Sequence, residues 1–432
     1  MLPVLIYFTL FIFLIHKWKI FKIDGVKKYN FHLAFLLKSI AGIFLYWIYT
    51  KHYTERHTAD IFKYYDDSLI LSDILFSNPT DFFKILFGLD FNKEYFEINY
   101  FINMNHWDSS YESIIMNESR LMIRLNALLN IIGFKQYSFN ALFFIFTSFL
   151  GIVITLQSLG KLIKSSSRTL LFWSVFIFPS LLIWNAGILK EPFVFLSLGL
   201  IIKGTCNLIS TKKIHWKNIT LLFLGFFFIL KLKFYLLCCL LPPFISLLLI
   251  IKRNKHPIKP ILIVSTLSLL TIIIVSYFSF EYSPIRLLSI KQNDFLKLAT
   301  FYKAGSKYTM TSLDSSIINF LKSLPIGFIN GSFRPFPNDI KSILHLIPLI
   351  ENLILIVSSI FLFSKRKTIA ININKKQKTL VYCSIFFTII LFTLIGITTP
   401  VVGAMIRYKT PALLFLIIAL ISLYDNTKKA HI

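Results

Sequence analysis

The sequence is short of charge, of acid and of cysteine. Only 15% of its 432 residues are charged, against roughly 25% in soluble domains. Aspartate and glutamate number 20, less than half of the 46 lysines and arginines. The four cysteines, Cys206, Cys238, Cys239 and Cys383, lie in or at the ends of apolar runs, with neither zinc spacing nor a disulfide framework. No internal repeat and no separate soluble domain is visible. These scarcities exclude a soluble enzyme, a disordered chain, a disulfide scaffold and a β-barrel. What is abundant is apolar: 56% hydrophobic residues, 46 of them phenylalanine, and a mean hydropathy of +0.69. The chain reads as one all-α polytopic membrane domain over residues 1–432.

Eleven apolar segments are candidate spans: 2–15, 31–50, 138–160, 169–184, 192–210, 218–232, 234–251, 260–280, 346–364, 379–397 and 405–424. The N-terminal run is not a signal peptide, because its positive charges follow it rather than precede it. The net charge of +26 would suggest nucleic acid in a soluble protein. Here 24 of the cations fall in six short segments, 16–30, 161–168, 203–217, 252–259, 365–378 and the tail, opposed only by Asp24 and Asp425. They recur on alternate sides of the spans, as the positive-inside rule requires of cytoplasmic loops. This puts the N-terminus outside and the C-terminus inside. It also makes anionic membrane lipid, not nucleic acid, the partner of those cations.

Two long loops fall outside. Residues 51–137 form an acidic loop: segment 51–119 holds 12 of the 20 acids against five cations, and 120–137 reads as an amphipathic helix on the outer membrane surface. Residues 281–345 form the second.

Four constellations on the outer side could carry chemistry. The first runs from His57 to Asp67. If helical, Asp60, Tyr64 and Asp67 share a face, with Asp66 alongside. Acids at the membrane boundary suit proton abstraction from a sugar hydroxyl, or the holding of a divalent cation. Asp60, the acid of this constellation closest to a span, is the leading candidate, yet a solvated acidic face would look the same. The second is Trp184–Pro192, a tight outside loop in which Lys190 and Glu191 precede a helix N-terminus, an arrangement suited to phosphate. Snorkelling of Lys190 is the alternative. The third is Asn330–Pro337, where prolines flank Phe336 and hold Arg334, whose guanidinium suits bidentate phosphate binding. A plain loop with a surface arginine fits equally. The fourth is Thr398–Lys409. Arg407 lies one turn into an apolar helix, where a lipid phosphate or an internal acid such as Glu351 or Glu191 would be its partner, with Lys409 in support.

The long outside loop with Asp60 and Tyr64 after an early span, its closing "RLNALLNIIGFKQYSFNALFFIFTSFLG", and the segments "FPSLLIWNAGILKEP", "FRPFP" and "GAMIRYKTPALLFL" resemble pieces of multi-span bacterial surface-polysaccharide proteins. The first of these resembles the loop and following span of GT-C superfamily glycosyltransferases, which take sugars from polyprenyl-phosphate donors. The acidic loop follows the second span here, whereas in that superfamily it usually follows the first. The excess of lysine over arginine, 37 to 9, fits an AT-rich bacterial genome. The resemblance implies a GT-C-like fold in a bacterial cytoplasmic membrane and a polyprenyl-phosphate-linked sugar or oligosaccharide as substrate. Asp60 would be the acceptor base, or the superfamily's acid pair would map onto Asp66 and Asp67. Lys190, Arg334 and Arg407 would hold the lipid phosphate. A polymerase of O-antigen or capsule repeat units shares this donor. A lipid-linked glycan flippase is the reading outside enzymes, and the missing internal repeat counts against it.

Overall fold

The computed structural model describes residues 2–52, 56, 59–89, 93–107, 119–211, 215–253, 256–279 and 283–427. His57 of the first constellation lies outside them. Among the described residues the regular structure is helical, apart from an isolated bridge between Lys307 and Val401. Seven helices among the described residues are long and apolar enough to cross a membrane: Lys28–Lys51, Tyr137–Leu162, Glu191–Thr211, Phe234–Ile251, Ile258–Phe278, Leu344–Ser364 and Lys375–Thr398. Val402–Tyr408 and Thr410–Tyr424 make an eighth if the pair, bent by 55°, counts as one broken span.

Of the eleven expected segments, three fall short of that length. Leu2–Lys17 has 16 residues and Trp216–Leu232 has 17. The segment 169–184 is divided between Ser165–Phe176 and Pro179–Ile183. Pro179 explains the division, since it has no N–H to donate and moves Phe178 away from helical geometry.

The long loops are themselves helical. Residues 51–137 contain Asp60–Ser77, Pro79–Phe87, Lys93–Asn99 and Arg120–Ile132. Asn78 caps the second of these by accepting the Asp81 N–H at 3.3 Å, and Gly88 ends it in the left-handed conformation. The expected amphipathic helix is present as Arg120–Ile132, but its buried face (Met122, Ile123, Asn126, Ala127, Leu129) packs into a protein core shared with Asp60–Ser77. It stops before Tyr137 because Phe134 and Lys135 take positive φ. Residues 281–345 contain Pro284–Phe301 and Ile317–Phe333.

The chain forms two compact units, residues 1–161 with 182–237, and residues 162–181 with 238–432. In the first unit, Phe144 packs on Phe193, and Gly151 meets Phe195, Leu196 and Gly199. Those pairs ascend together, so Tyr137–Leu162 and Glu191–Thr211 run parallel. A Cβ on Gly151 would stand 2.3 Å from the Leu196 nitrogen, a backbone approach that only glycine permits. Trp216–Leu232 runs back antiparallel, Gly204 meeting Asn218 and Gly225 meeting Ser197. In the second unit Gly327, Gly331 and Gly396 bring Ile317–Phe333 against Lys375–Thr398. Lys375–Thr398 is in turn antiparallel to Thr410–Tyr424, with Phe387 on Phe415 and Gln377 on Asn426.

Candidate functional site

The first unit assembles a charged cluster where Asp60–Ser77 follows the end of Lys28–Lys51. Asp60 and Lys63, one turn apart, form an ion pair. Tyr64, 4% exposed, comes next on that face. The Lys63 ammonium stands 5.3 Å from the centre of the Tyr64 ring, and the Lys190 ammonium 5.6 Å from it. Glu191 accepts from Lys233 at 2.8 Å, with both side chains almost fully buried. Burial holds the Lys190 amine well below the usual lysine range; Lys63 and Lys233 push the same way, while Asp60 and Glu191 oppose. Asp60, Lys63, Lys190, Glu191 and Lys233 thus form one electrostatic neighbourhood beside Tyr64.

The adjacent acids Asp66 and Asp67 diverge. Asp66 takes both ends of the Arg56 guanidinium, at 2.7 and 2.9 Å, and Arg56 lies 4.1 Å over the Phe62 ring. Asp67 is buried and accepts the backbone N–H groups of Asn105 at 3.0 Å and His106 at 2.7 Å. Burial outweighs those two bonds and pushes its carboxyl up to about 6. Arg56, Lys63, Asp66, Asp67, Asn105 and His106 line a cavity of about 220 Å³. Lys63 belongs to both this cavity and the cluster around Tyr64.

The sequence-predicted residues of the second unit are engaged differently. The Arg334 guanidinium meets Asp339 at 2.6 Å and Asn330 at 3.1 Å, and stacks 3.8 Å over Tyr308. Lys409, at the bend of the broken pair, donates to the Arg334 carbonyl at 2.9 Å. Asn352 donates to the Phe333 and Arg334 carbonyls at 2.9 and 3.1 Å. Lys409 and Asn352 together satisfy carbonyls that the end of Ile317–Phe333 leaves over. Arg407 is not one turn into a continuous span. It closes the short helix Val402–Tyr408, with its guanidinium carbon 5.0 Å from the Tyr408 ring centre. Glu351 accepts the Ser180 N–H at 2.6 Å and also the Ser180 hydroxyl.

The structure therefore brings Asp60, Tyr64, Lys190 and Glu191 together in one unit, and Arg334 and Lys409 together in the other. Sequence reasoning missed Arg56, Lys63, Asn105, His106 and Lys233. Lys233 was within reach: an antiparallel pairing of 191–211 with 216–232 places residue 233 beside residue 191. Nothing in the sequence pointed to Asn105 or His106, which act through backbone N–H groups. Among the described residues no group of three histidine, cysteine or acidic side chains could hold a metal ion. Comparison with family models, with curated proteins and with solved structures finds no match.

Proposed function

We propose that this protein is a membrane glycosyltransferase that moves a sugar from a polyprenyl-phosphate-linked donor to a glycan or lipid-linked acceptor at the outer face of a bacterial cytoplasmic membrane. The observation that carries the reading is the convergence on Tyr64: lysines for a phosphate stand beside a cavity lined by carboxylates, just past the end of a span. In the reaction an acceptor hydroxyl oxygen forms a bond to the anomeric carbon. The bond from that carbon to the phosphate oxygen breaks, its electron pair leaves with the phosphate, and a carboxylate takes the hydroxyl proton.

Asp67 suits the role of base better than Asp60. It lines the cavity, and a proton affinity near 6 is close to what proton abstraction at neutral pH requires. Asp60, held by Lys63, orients that lysine. Lys63 stabilises the charge that accumulates on the departing phosphate, and the Lys190 amine donates a hydrogen bond to it. Arg334 and Lys409, bound to Asp339 and to a helix end, serve the second unit's own structure. The orientation that suits this chemistry is the N-terminus outside and the C-terminus inside.

The test is sugar transfer in membranes supplied with a polyprenyl-phosphate-linked donor. Asp67→Asn should lower the turnover by about 10²–10⁴-fold, and Lys190→Ala by about 10²–10³-fold. Undiminished transfer in both variants would end the assignment.

A further inference from the structure

Between Ile183 and Glu191 the chain is neither helix nor strand, yet Asn185 through Lys190 are all buried. Irregular backbone at membrane depth persists only where protein encloses it or where it lines a cavity. The inner end of this segment rests on one residue. Lys38 lies near the middle of Lys28–Lys51 and is completely buried. Its ammonium donates to the side-chain oxygen of Asn185. That oxygen also accepts the hydroxyl of Ser148 at 2.8 Å, and Ser148 is near the middle of Tyr137–Leu162. Asn185 is thus set against the midpoints of two spans, rather than in a tight loop at their outer ends. Among the described residues no carboxylate pairs with Lys38.

From Asn185 the chain climbs the outer half of the Lys28–Lys51 span. Gly42 leaves room for the Ala186 carbonyl, and Gly187 lies against Leu45. Leu189 joins a small core with Leu45, Ala59, Ile61 and Phe62, and Lys190 then arrives beside Tyr64. An apolar side chain at position 38 would fill the same space without the cost of a cation at that depth. What the ammonium adds is a fixed seat for Asn185, and so a fixed path for the five residues that follow.

We propose that Lys38 is a positioning residue that determines, through Asn185, where Lys190 stands. Its catalytic meaning rests on the reading of Lys190 as a phosphate-holding group. The placement itself can be tested without substrate.

The experiment uses full-length protein in membrane vesicles, with Cys206, Cys238, Cys239 and Cys383 replaced by serine and a membrane-impermeant maleimide as probe. Leu189→Cys reports on the segment, since Leu189 is 1% exposed. Ser197→Cys, in the neighbouring span and equally buried, reports on the fold of the unit. Two backgrounds test the tie: Lys38→Met alone, and Lys38→Met with Asn185→Leu. The double replacement removes the amide oxygen along with the ammonium, and the Ser148 hydroxyl can turn to the carbonyl one turn back in its own helix, so folding is retained where the single change fails. In the double background Leu189→Cys should label about tenfold faster than with native Lys38, about 1.4 kcal/mol of lost protection. Lys38→Arg should restore slow labelling, and Ser197→Cys should stay slow throughout. Native-rate labelling of Leu189→Cys in the double background overturns the proposal, and so does an equal rise at Ser197→Cys.

In the transfer assay the same double variant should raise KM for the lipid donor about tenfold, with kcat changed less, and Lys38→Arg should reverse the rise. A native protein that shows the labelling pattern but transfers no sugar removes the glycosyltransferase reading and leaves the placement standing.

Discussion

At the scale of single residues, the strongest feature of the first unit is a buried ion pair. Glu191 and Lys233 have side chains 2% and 5% exposed. Taking a carboxylate and an ammonium out of water costs several kcal/mol per ion, which their attraction offsets only while both are present. Lys233→Met should therefore destabilise the protein by about 3–5 kcal/mol, whereas Lys233→Met with Glu191→Gln should regain most of that loss. Thermal unfolding in detergent micelles measures both, and equal losses in the single and double variants would show that the pair is not the source. Asp67 supports a prediction of a different kind. Its carboxyl titrates near 6 because burial disfavours the charged form. A base must be ionised to accept a proton, so kcat/KM should be level above that pH and fall about tenfold per unit as pH drops below about 6. A pH profile flat down to 5 would remove Asp67 from the role.

At the scale of elements, glycine decides how closely the spans approach. Gly151 and Gly199 bring Tyr137–Leu162 and Glu191–Thr211 into backbone contact, and a Cβ on Gly199 would stand 2.5 Å from the Gly151 carbonyl oxygen. Gly199→Val should separate the two helices, cost about 1–3 kcal/mol and displace Lys190, which lies just before the second of them. Transfer should then fall together with the unfolding temperature, and a variant that is stable and fully active would show that the contact is dispensable. These spans were legible in the sequence because a long apolar run can be little else, and the amphipathic helix at 120–132 was legible from its periodicity. The charged cluster was legible only in part. Asp60, Tyr64 and Lys190 stood out as polar groups at the ends of apolar runs. That they meet depends on the path of residues 184–190, which is set by residues distant in sequence: Lys38, Gly42, Leu45 and Ser148. Periodicity carries no information about such contacts. The engagement of Arg334 was hidden for a related reason. Asp339 lies close in sequence, but the turn that brings it back to the guanidinium has no sequence pattern that separates it from an open loop.

At the scale of the whole molecule, packing leads to a prediction for the number of crossings that differs from the count of long helices. Eight long spans would leave both chain ends on the same side, whereas eleven crossings leave them on opposite sides. In the first unit Tyr137–Leu162 and Glu191–Thr211 are parallel. Two parallel spans require the chain between them to return across the membrane, so we predict that residues 163–190 cross although no helix there reaches spanning length. The position of Lys190 agrees: it stands beside Tyr64, near the end of Lys28–Lys51, the end from which the 52–136 segment leaves. The ion pair between Glu191 and Lys233 closes the next hairpin in the same way, so the same prediction extends to Trp216–Leu232. We therefore predict ten crossings, with Leu2–Lys17 as an eleventh that would put Lys19, Lys22, Lys27 and Lys28 on the side of the other cation-rich segments. Fusions of alkaline phosphatase, active only outside, should be active after residues 100, 190 and 310 and inactive after residues 25, 164, 213, 254 and 370. The decisive pair is 164 and 190. The same activity at both would mean that the segment between them does not cross, and the parallel packing of the two flanking spans could not then exist in the membrane.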